Sequence, residues 1–240
     1  MSAPDRADGA PWRNFYGRRR GKTLRAHQAD LIQTRLAELS PPGISWEENP
    51  SRTPLDLGKL YPGRELWLEI GFGGGEHMLA MAKAHPEVQL LGAEPFINGV
   101  AKLLSAIERA GVSNLAVTDQ DARHVLDVLP AGSVARCFLL YPDPWPKKRH
   151  WKRRFVNPEN LEQLARAMAP GALLHIATDI EDYVRHTLEH LMPDPRFAWT
   201  ATRAQDWRTP WPGWPSTRYE AKALREGRRP HYLTFVRQSA

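Results

Sequence analysis

Leu66-Trp67-Leu68-Glu69-Ile70-Gly71-Phe72-Gly73-Gly74-Gly75-Glu76 is the stretch whose reading decides the fold. A strand-like apolar run passes without a break into a glycine cluster, and Glu76-His77-Met78-Leu79-Ala80 starts a helical pattern directly afterwards. Glycine is needed where a strand turns sharply into a helix and the backbone must approach a ligand with no β-carbon in the way. A second apolar run ends in Gly92-Ala93-Glu94, about 20 residues after the loop, where an acid can accept hydrogen bonds from ribose hydroxyls. The dinucleotide fingerprint G-x-G-x-x-G asks for glycine at position 76, and Glu76 stands there instead. That substitution disfavours a dinucleotide oxidoreductase, as does the lack of any obvious hydride-transfer constellation.

Working outward, short apolar runs at 65–70, 88–93, 115–118, 136–141 and 173–177 alternate with helical patterns at 76–85, 97–110, 122–129 and 158–168. Such alternation predicts an α/β fold, a mostly parallel, doubly wound sheet covered on both faces. A helix at 180–191 and two further strands, 197–203 and 231–236, predict a terminal antiparallel strand pair. In a sheet of this kind ligands bind beyond the carboxyl ends of the strands. The pattern Glu69-x-Gly71-x-Gly73-x-Gly75 resembles the adenosylmethionine-binding loop of Rossmann-like methyltransferases.

Length and charge narrow the setting. A chain of 240 residues with 42% hydrophobic content can bury one substantial core. Residues 1–25 are rich in Arg, Gly, Pro and Ala without apolar periodicity, which predicts a mobile basic arm ahead of a single domain over 26–240. Leu31, Ile32, Leu36 and Leu39 predict one amphipathic helix over 26–39. The net charge of +6 and pI near 9.6 favour a polyanionic partner, with nucleic acid foremost. The single cysteine, Cys137, excludes an internal disulfide framework and sits in an apolar strand context. No apolar run is long enough to span a membrane and the N-terminus has no signal-peptide core, so the expected location is the cytoplasm. No His/Cys cluster has metal-ligand spacing, so no metal is expected.

The fourth run delivers Tyr141-Pro142-Asp143-Pro144-Trp145-Pro146-Lys147. Two prolines bracketing Asp143 fix φ and hold its carboxylate on a stiff backbone at the ligand edge. From Lys147 to Arg154, six of eight residues are Lys or Arg. This is either a solvated face or a set of phosphate contacts placed next to the acid that meets the base. Asp121 reads both as a ligand contact and as the N-cap of the following helix. Thr178-Asp179 has the same ambiguity, since acids are favoured at a helix N-terminus. Trp207, Trp211 and Trp214 cluster before Thr217-Arg218-Tyr219-Glu220, available either to stack an unpaired base or to pack on the sheet.

Gly71-Phe72-Gly73, Glu94, Pro142-Asp143-Pro144-Trp145-x-Lys147, Thr178-Asp179 and Thr217-Arg218-Tyr219-Glu220 together resemble the tRNA (guanine-N7)-methyltransferase family, with matching features from about Phe15 to Val236. The resemblance implies S-adenosylmethionine as methyl donor, bound by Glu69, Gly71, Gly73, Gly75, Glu94, Asp121 and Asp143. It implies Asp143 as the catalytic carboxylate. It implies that Lys147, Asp179, Thr217, Arg218, Tyr219 and Glu220 hold a tRNA whose target guanosine lies in the variable loop. The chain departs from the family at Pro95-Phe96, where many members carry an apolar β-branched residue, and at Pro146, where several have His. Guanine N7 carries a lone pair and no proton, so Asp143 is expected to act by position and charge and not by proton abstraction. Asp179 and Glu220 are expected to accept from guanine N1–H and the exocyclic amine. Methylation of another RNA base, or a non-catalytic RNA-binding module of the same fold, are the competing readings. Either a single chain or a homodimer is compatible with the sequence.

Overall fold

The computed structural model describes residues 14–239. The elements run α1 (Ala26–Gln33), α2 (Arg35–Leu39), α3 (Leu57–Leu60), β1 (Leu66–Ile70), α4 (Glu76–Ala84), β2 (Gln89–Ala93), α5 (Ile97–Ala110), β3 (Leu115–Thr118), α6 (Ala122–Val128) and β4 (Val134–Leu140). A 3-10 turn (Lys148–Arg153) follows, then α7 (Pro158–Ala167), β5 (Met168–Thr178), α8 (Glu181–Leu191), β6 (Phe197–Trp199), α9 (Gln205–Arg208), α10 (Arg218–Arg225) and β7 (His231–Arg237).

The strands form one seven-stranded sheet in the order β3-β2-β1-β4-β5-β7-β6. β1 to β5 pair with one another in parallel, while β7 runs antiparallel to both β5 and β6. This is the predicted α/β sheet with its terminal antiparallel pair. Every residue of β1, β2 and β3 is buried, as expected of parallel strands covered on both faces. Because side chains alternate across a strand, Leu66, Leu68 and Ile70 feed one apolar layer while Trp67 feeds the other. Cys137 is fully buried in β4, in keeping with a structural thiol.

Helix ends follow local chemistry. Asn157 caps α7, accepting from the Asn160 N–H at 3.0 Å, with Pro158 in the first helical turn where its missing N–H costs nothing. α5 stops at Gly111, whose φ of +66° is open to glycine at little strain.

Two expectations change. The predicted helix over 26–39 is two helices, interrupted at Thr34, whose backbone is distorted (φ −107°, ψ −68°) and whose hydroxyl donates to the Asp30 carbonyl at 2.9 Å. The strand predicted over 197–203 ends at Trp199, after which Thr200 bonds the Thr234 carbonyl through its backbone and hydroxyl and the chain turns away. Of the predicted basic arm, residues 1–13 lie outside the described residues. Residues 14–25 have no helix or strand and lie along the start of α5: the Ile97 N–H donates to the Arg19 carbonyl at 3.0 Å, and Gly21 N–H to Asn98 Oδ1 at 2.7 Å.

Candidate active site

The carboxyl ends of β1 to β4 surround one cavity of about 600 Å³, lined by the glycine loop, Glu94, Asp121, Tyr141 and Asp143, with Tyr219 of α10 and residues Asn14 to Arg18 at its margin. Three glycines of the loop, Gly71, Gly73 and Gly75, have positive φ of 71°, 58° and 75°, a region costly to residues with a β-carbon. At Gly71 a β-carbon would meet nothing within 4 Å, so the loop leaves open space on its cavity side. Gly73 is approached by Tyr219, whose ring would lie 3.0 Å from an added β-carbon.

Glu94 ties the loop to the end of β2. Its carboxylate accepts from the Gly73 N–H at 2.7 Å and the Phe96 N–H at 2.9 Å. Burial raises the Glu94 pKa and the nearby Asp143 charge adds to that, against the lowering effect of the two backbone bonds and Arg218. Asp121 caps α6 through the Arg123 N–H at 2.9 Å and also takes the Arg123 guanidinium. Burial works against its charge, but the bonds to Arg123 outweigh it and hold the carboxyl below the usual range. Capping and cavity lining therefore coexist at Asp121.

Glu69 is 2% exposed and does not line the cavity; its carboxylate shares a 2.6 Å hydrogen bond with His77 Nδ1 in the first turn of α4. The predicted donor residues thus divide, with Gly71, Gly73, Glu94, Asp121 and Asp143 at the cavity wall and Glu69 and Gly75 behind it.

Asp143 opens to the cavity from a turn with unusual backbone: Tyr141 and Trp145, on either side of Pro142-Asp143-Pro144, have φ of +50° and +42°. Such values are rare for bulky residues and mark a turn held by its surroundings. Burial raises the Asp143 pKa. Tyr141 and Tyr219 stand as near-parallel rings, centroids 6.2 Å apart and planes 19° from each other.

The predicted acceptor residues are brought to the same end of the sheet, but not all with free side chains. Thr217 caps α10 by accepting from the Glu220 N–H at 3.2 Å. Glu220 is 5% exposed, with Trp214 Nε1 3.0 Å from both of its oxygens and the Tyr232 hydroxyl donating to one of them. It is neither a surface ion pair nor an open acceptor; it anchors the start of α10. Arg218 reaches back over the loop, 3.7 Å from Glu76. Asp179 receives the Arg228 guanidinium at the end of β5. Lys147 is exposed at the head of the 3-10 turn. The three tryptophans pack inward: Trp211 and Trp214 lie on His175, His77 and Tyr232, and Trp207 stacks on His231.

Sequence reasoning missed Tyr141, Gly99, Tyr232 and the inward turn of Arg154. Gly99 carries the clearest signal in retrospect. A glycine inside a strongly amphipathic helix has a cost, and here a β-carbon would sit well inside 3.0 Å of the Gly73 carbonyl oxygen. Among the described residues no group of three or more His, Cys, Asp or Glu is arranged to hold a metal ion, and no helix is long and apolar enough to cross a membrane.

Residues 63–233 match a protein family described as "Putative methyltransferase". The chain is 61% identical over 228 residues to a tRNA (guanine-N(7)-)-methyltransferase of Roseobacter denitrificans, covering 95% of this chain and 97% of that one. It is 56% identical over 237 residues to one of a Ruegeria species, covering 99% and 92%. In fold it resembles the 16S rRNA methyltransferase KamB, with a TM-score of 0.56 at 16% identity over 78% of this chain and 95% of that one.

Proposed function

The chain belongs to the family of tRNA (guanine-N7)-methyltransferases, and from that premise we propose that it methylates N7 of a guanosine in the tRNA variable loop, with S-adenosylmethionine as donor. The observation that carries this reading is the meeting of the glycine loop, Glu94, Asp143 and Tyr219 around one cavity.

The residues present fit the donor. Gly71 leaves room for a ligand against the loop backbone, and an acid that lines the cavity follows each of the strands β2 and β3. Glu94 would take ribose hydroxyls and Asp121 the adenine edge, each already oriented by bonds to backbone or Arg123. Glu69, buried behind the loop with His77, supports the junction of loop and α4. When bound, adenosylmethionine supplies an electrophilic methyl group on a sulfonium centre.

No proton has to leave guanine N7, so Asp143 serves as a fixed negative charge beside a positive charge that moves from donor to purine. Its turn holds that charge in place before the base arrives, and alignment of methyl and N7 supplies much of the remaining acceleration. Tyr141 and Tyr219 offer parallel aromatic faces to a base taken out of its stack. Thr217 and Glu220 fix α10 so that Arg218 and Tyr219 reach the cavity. Asp179 is the remaining carboxylate for the guanine N1–H, oriented by Arg228. Lys147, with exposed neighbours Lys148 and Arg149, meets phosphates. The enzyme would work in the cytoplasm, where its tRNA is.

The test is transfer of labelled methyl from adenosylmethionine to unmodified tRNA transcripts, with the variable-loop guanosine present or replaced by adenosine. Label lost with that replacement, and mapped by cleavage at N7-methylguanosine, is the expected result. Label retained on the adenosine transcript moves the target elsewhere.

A further inference from the structure

Arg154 closes a run of six basic residues in eight, and the sequence offers it to phosphate like the others. The structure turns it the other way. Arg154 is 1% exposed and among the largest fully buried side chains in the protein. A buried guanidinium is costly unless its donors are met and its charge is paired.

Those requirements are met by the turn that carries Asp143. Arg154 Nε donates to the Pro144 carbonyl at 2.9 Å, and Nη2 reaches the Trp145 carbonyl at 3.5 Å. Nη2 also donates to the Asp182 carboxylate in the first turn of α8, and Nη1 reaches the Asp182 carbonyl at 3.5 Å. The guanidinium lies over the rings of Trp151 at 4.8 Å and Tyr183 at 5.3 Å. Pro144 and Trp145 directly follow Asp143, and the turn has left-handed residues at Tyr141 and Trp145. A turn of that shape relaxes unless something outside it fixes its carbonyls.

We infer that Arg154 is a positioning residue: locked by Asp182, it clamps the Pro144 and Trp145 carbonyls and thereby holds the Asp143 carboxylate at the cavity, taking no part in RNA phosphate binding. The planar fork matters as much as the charge, because two carbonyls and a carboxylate are met by one rigid group. The kinetic consequence rests on the reading of Asp143 as the acid beside the reacting methyl. The clamp itself does not rest on it.

The experiment uses the full chain with Arg154→Lys and Asp182→Asn, set beside Lys148→Ala and Asp143→Asn. Single-turnover methyl transfer, tRNA affinity as a function of salt, and deuterium uptake of the backbone across 140–151 are measured on each. For Arg154→Lys the expected result is a fall of about 10²-fold in the transfer rate, the scale of an ångström-size misplacement. Faster exchange in 140–151 and an unchanged salt slope of tRNA binding should accompany it. Asp182→Asn should show the same pattern more weakly, and reports on the clamp if Arg154→Lys does not fold. Lys148→Ala should instead lower the salt slope by about one. The inference is overturned if Arg154→Lys lowers the salt slope as Lys148→Ala does, or if exchange across 140–151 is unchanged in both clamp variants. If Asp143→Asn keeps full activity, the assignment of the acid fails, while exchange across 140–151 still decides the clamp.

Discussion

The edge formed by the ends of β1, β2 and β3 is built from backbone, whereas the edge at β4, β5 and α10 is built from side chains that meet from distant parts of the chain. On the first edge, glycines of positive φ and the N–H groups of Gly73 and Phe96 shape the wall, and Glu94 ties them together. On the second, Arg154 reaches Asp182, Arg228 reaches Asp179, and Trp214 and Tyr232 converge on Glu220. A backbone-built wall tolerates little added volume where it is braced from behind, at Gly75 and Gly99. A side-chain-built wall depends on each partner being present and correctly protonated.

The largest effect that would test this contrast is at Asp143. Asp143→Asn should reduce the single-turnover rate by about 10²- to 10³-fold, the range for removing one preorganised electrostatic group, with tRNA affinity unchanged. Full activity would leave the second edge without its electrostatic purpose. Next comes Gly99→Ala, which drives a methyl into the Gly73 carbonyl. Overpacking of this kind costs typically about 1–3 kcal/mol, and calorimetry should find donor affinity lowered by about tenfold while tRNA binding persists. Unchanged donor affinity would mean that the loop is not braced from behind.

Glu220→Gln should sharpen the contrast from the other side. The amide nitrogen cannot accept from Trp214 or Tyr232, and a buried donor left unmet costs about 1–3 kcal/mol. The melting temperature should drop and transfer to tRNA slow, while adenosylmethionine affinity stays as it was. A parallel loss of donor affinity would show the two edges to be one unit. The smallest effect concerns pH. Burial, with a contribution from Asp143, raises the Glu94 pKa, so a donor that needs ionised Glu94 binds less well as pH falls through that raised value. Removing the neighbouring negative charge in Asp143→Asn lowers the Glu94 pKa. The acid limb of donor binding should therefore move to lower pH, and a limb that does not move would separate the two carboxylates electrostatically.

The same contrast explains what could be read in advance. α5 and β3 fall on the predicted bounds, because a long amphipathic helix ended by Gly111 and a short apolar run ended by Thr118 carry their own periodicity and stops. The glycine loop and strand-end acids were legible for the same reason, as local chemistry at local spacing. Arg154 was not, since a charge run records sign but not direction, and only the fold turns one guanidinium inward. The anchoring role of Glu220 was not legible either, since its partners Trp214, six residues back, and Tyr232, twelve residues on, meet it only in the fold. The leading helix is interrupted at Thr34, whose hydroxyl bonds the Asp30 carbonyl, and helical spacing of leucines does not reveal that.

The sheet order has one more consequence, for length. Neighbouring strands stand about 4.8 Å apart, so the ends of β3, β2, β1, β4 and β5 mark out a scale of about 19 Å with Asp121 near one end and Asp179 at the other. The chain visits those marks in a different order from a ligand lying across them. Between β1 and β4 the scale has a seam where adjacent marks belong to strands with no direct connection. Residues from the β4 side therefore reach the β1 side only through contacts made in the fold, as Tyr219 does at Gly73 and Trp214 at His77, and not through the connections between strands.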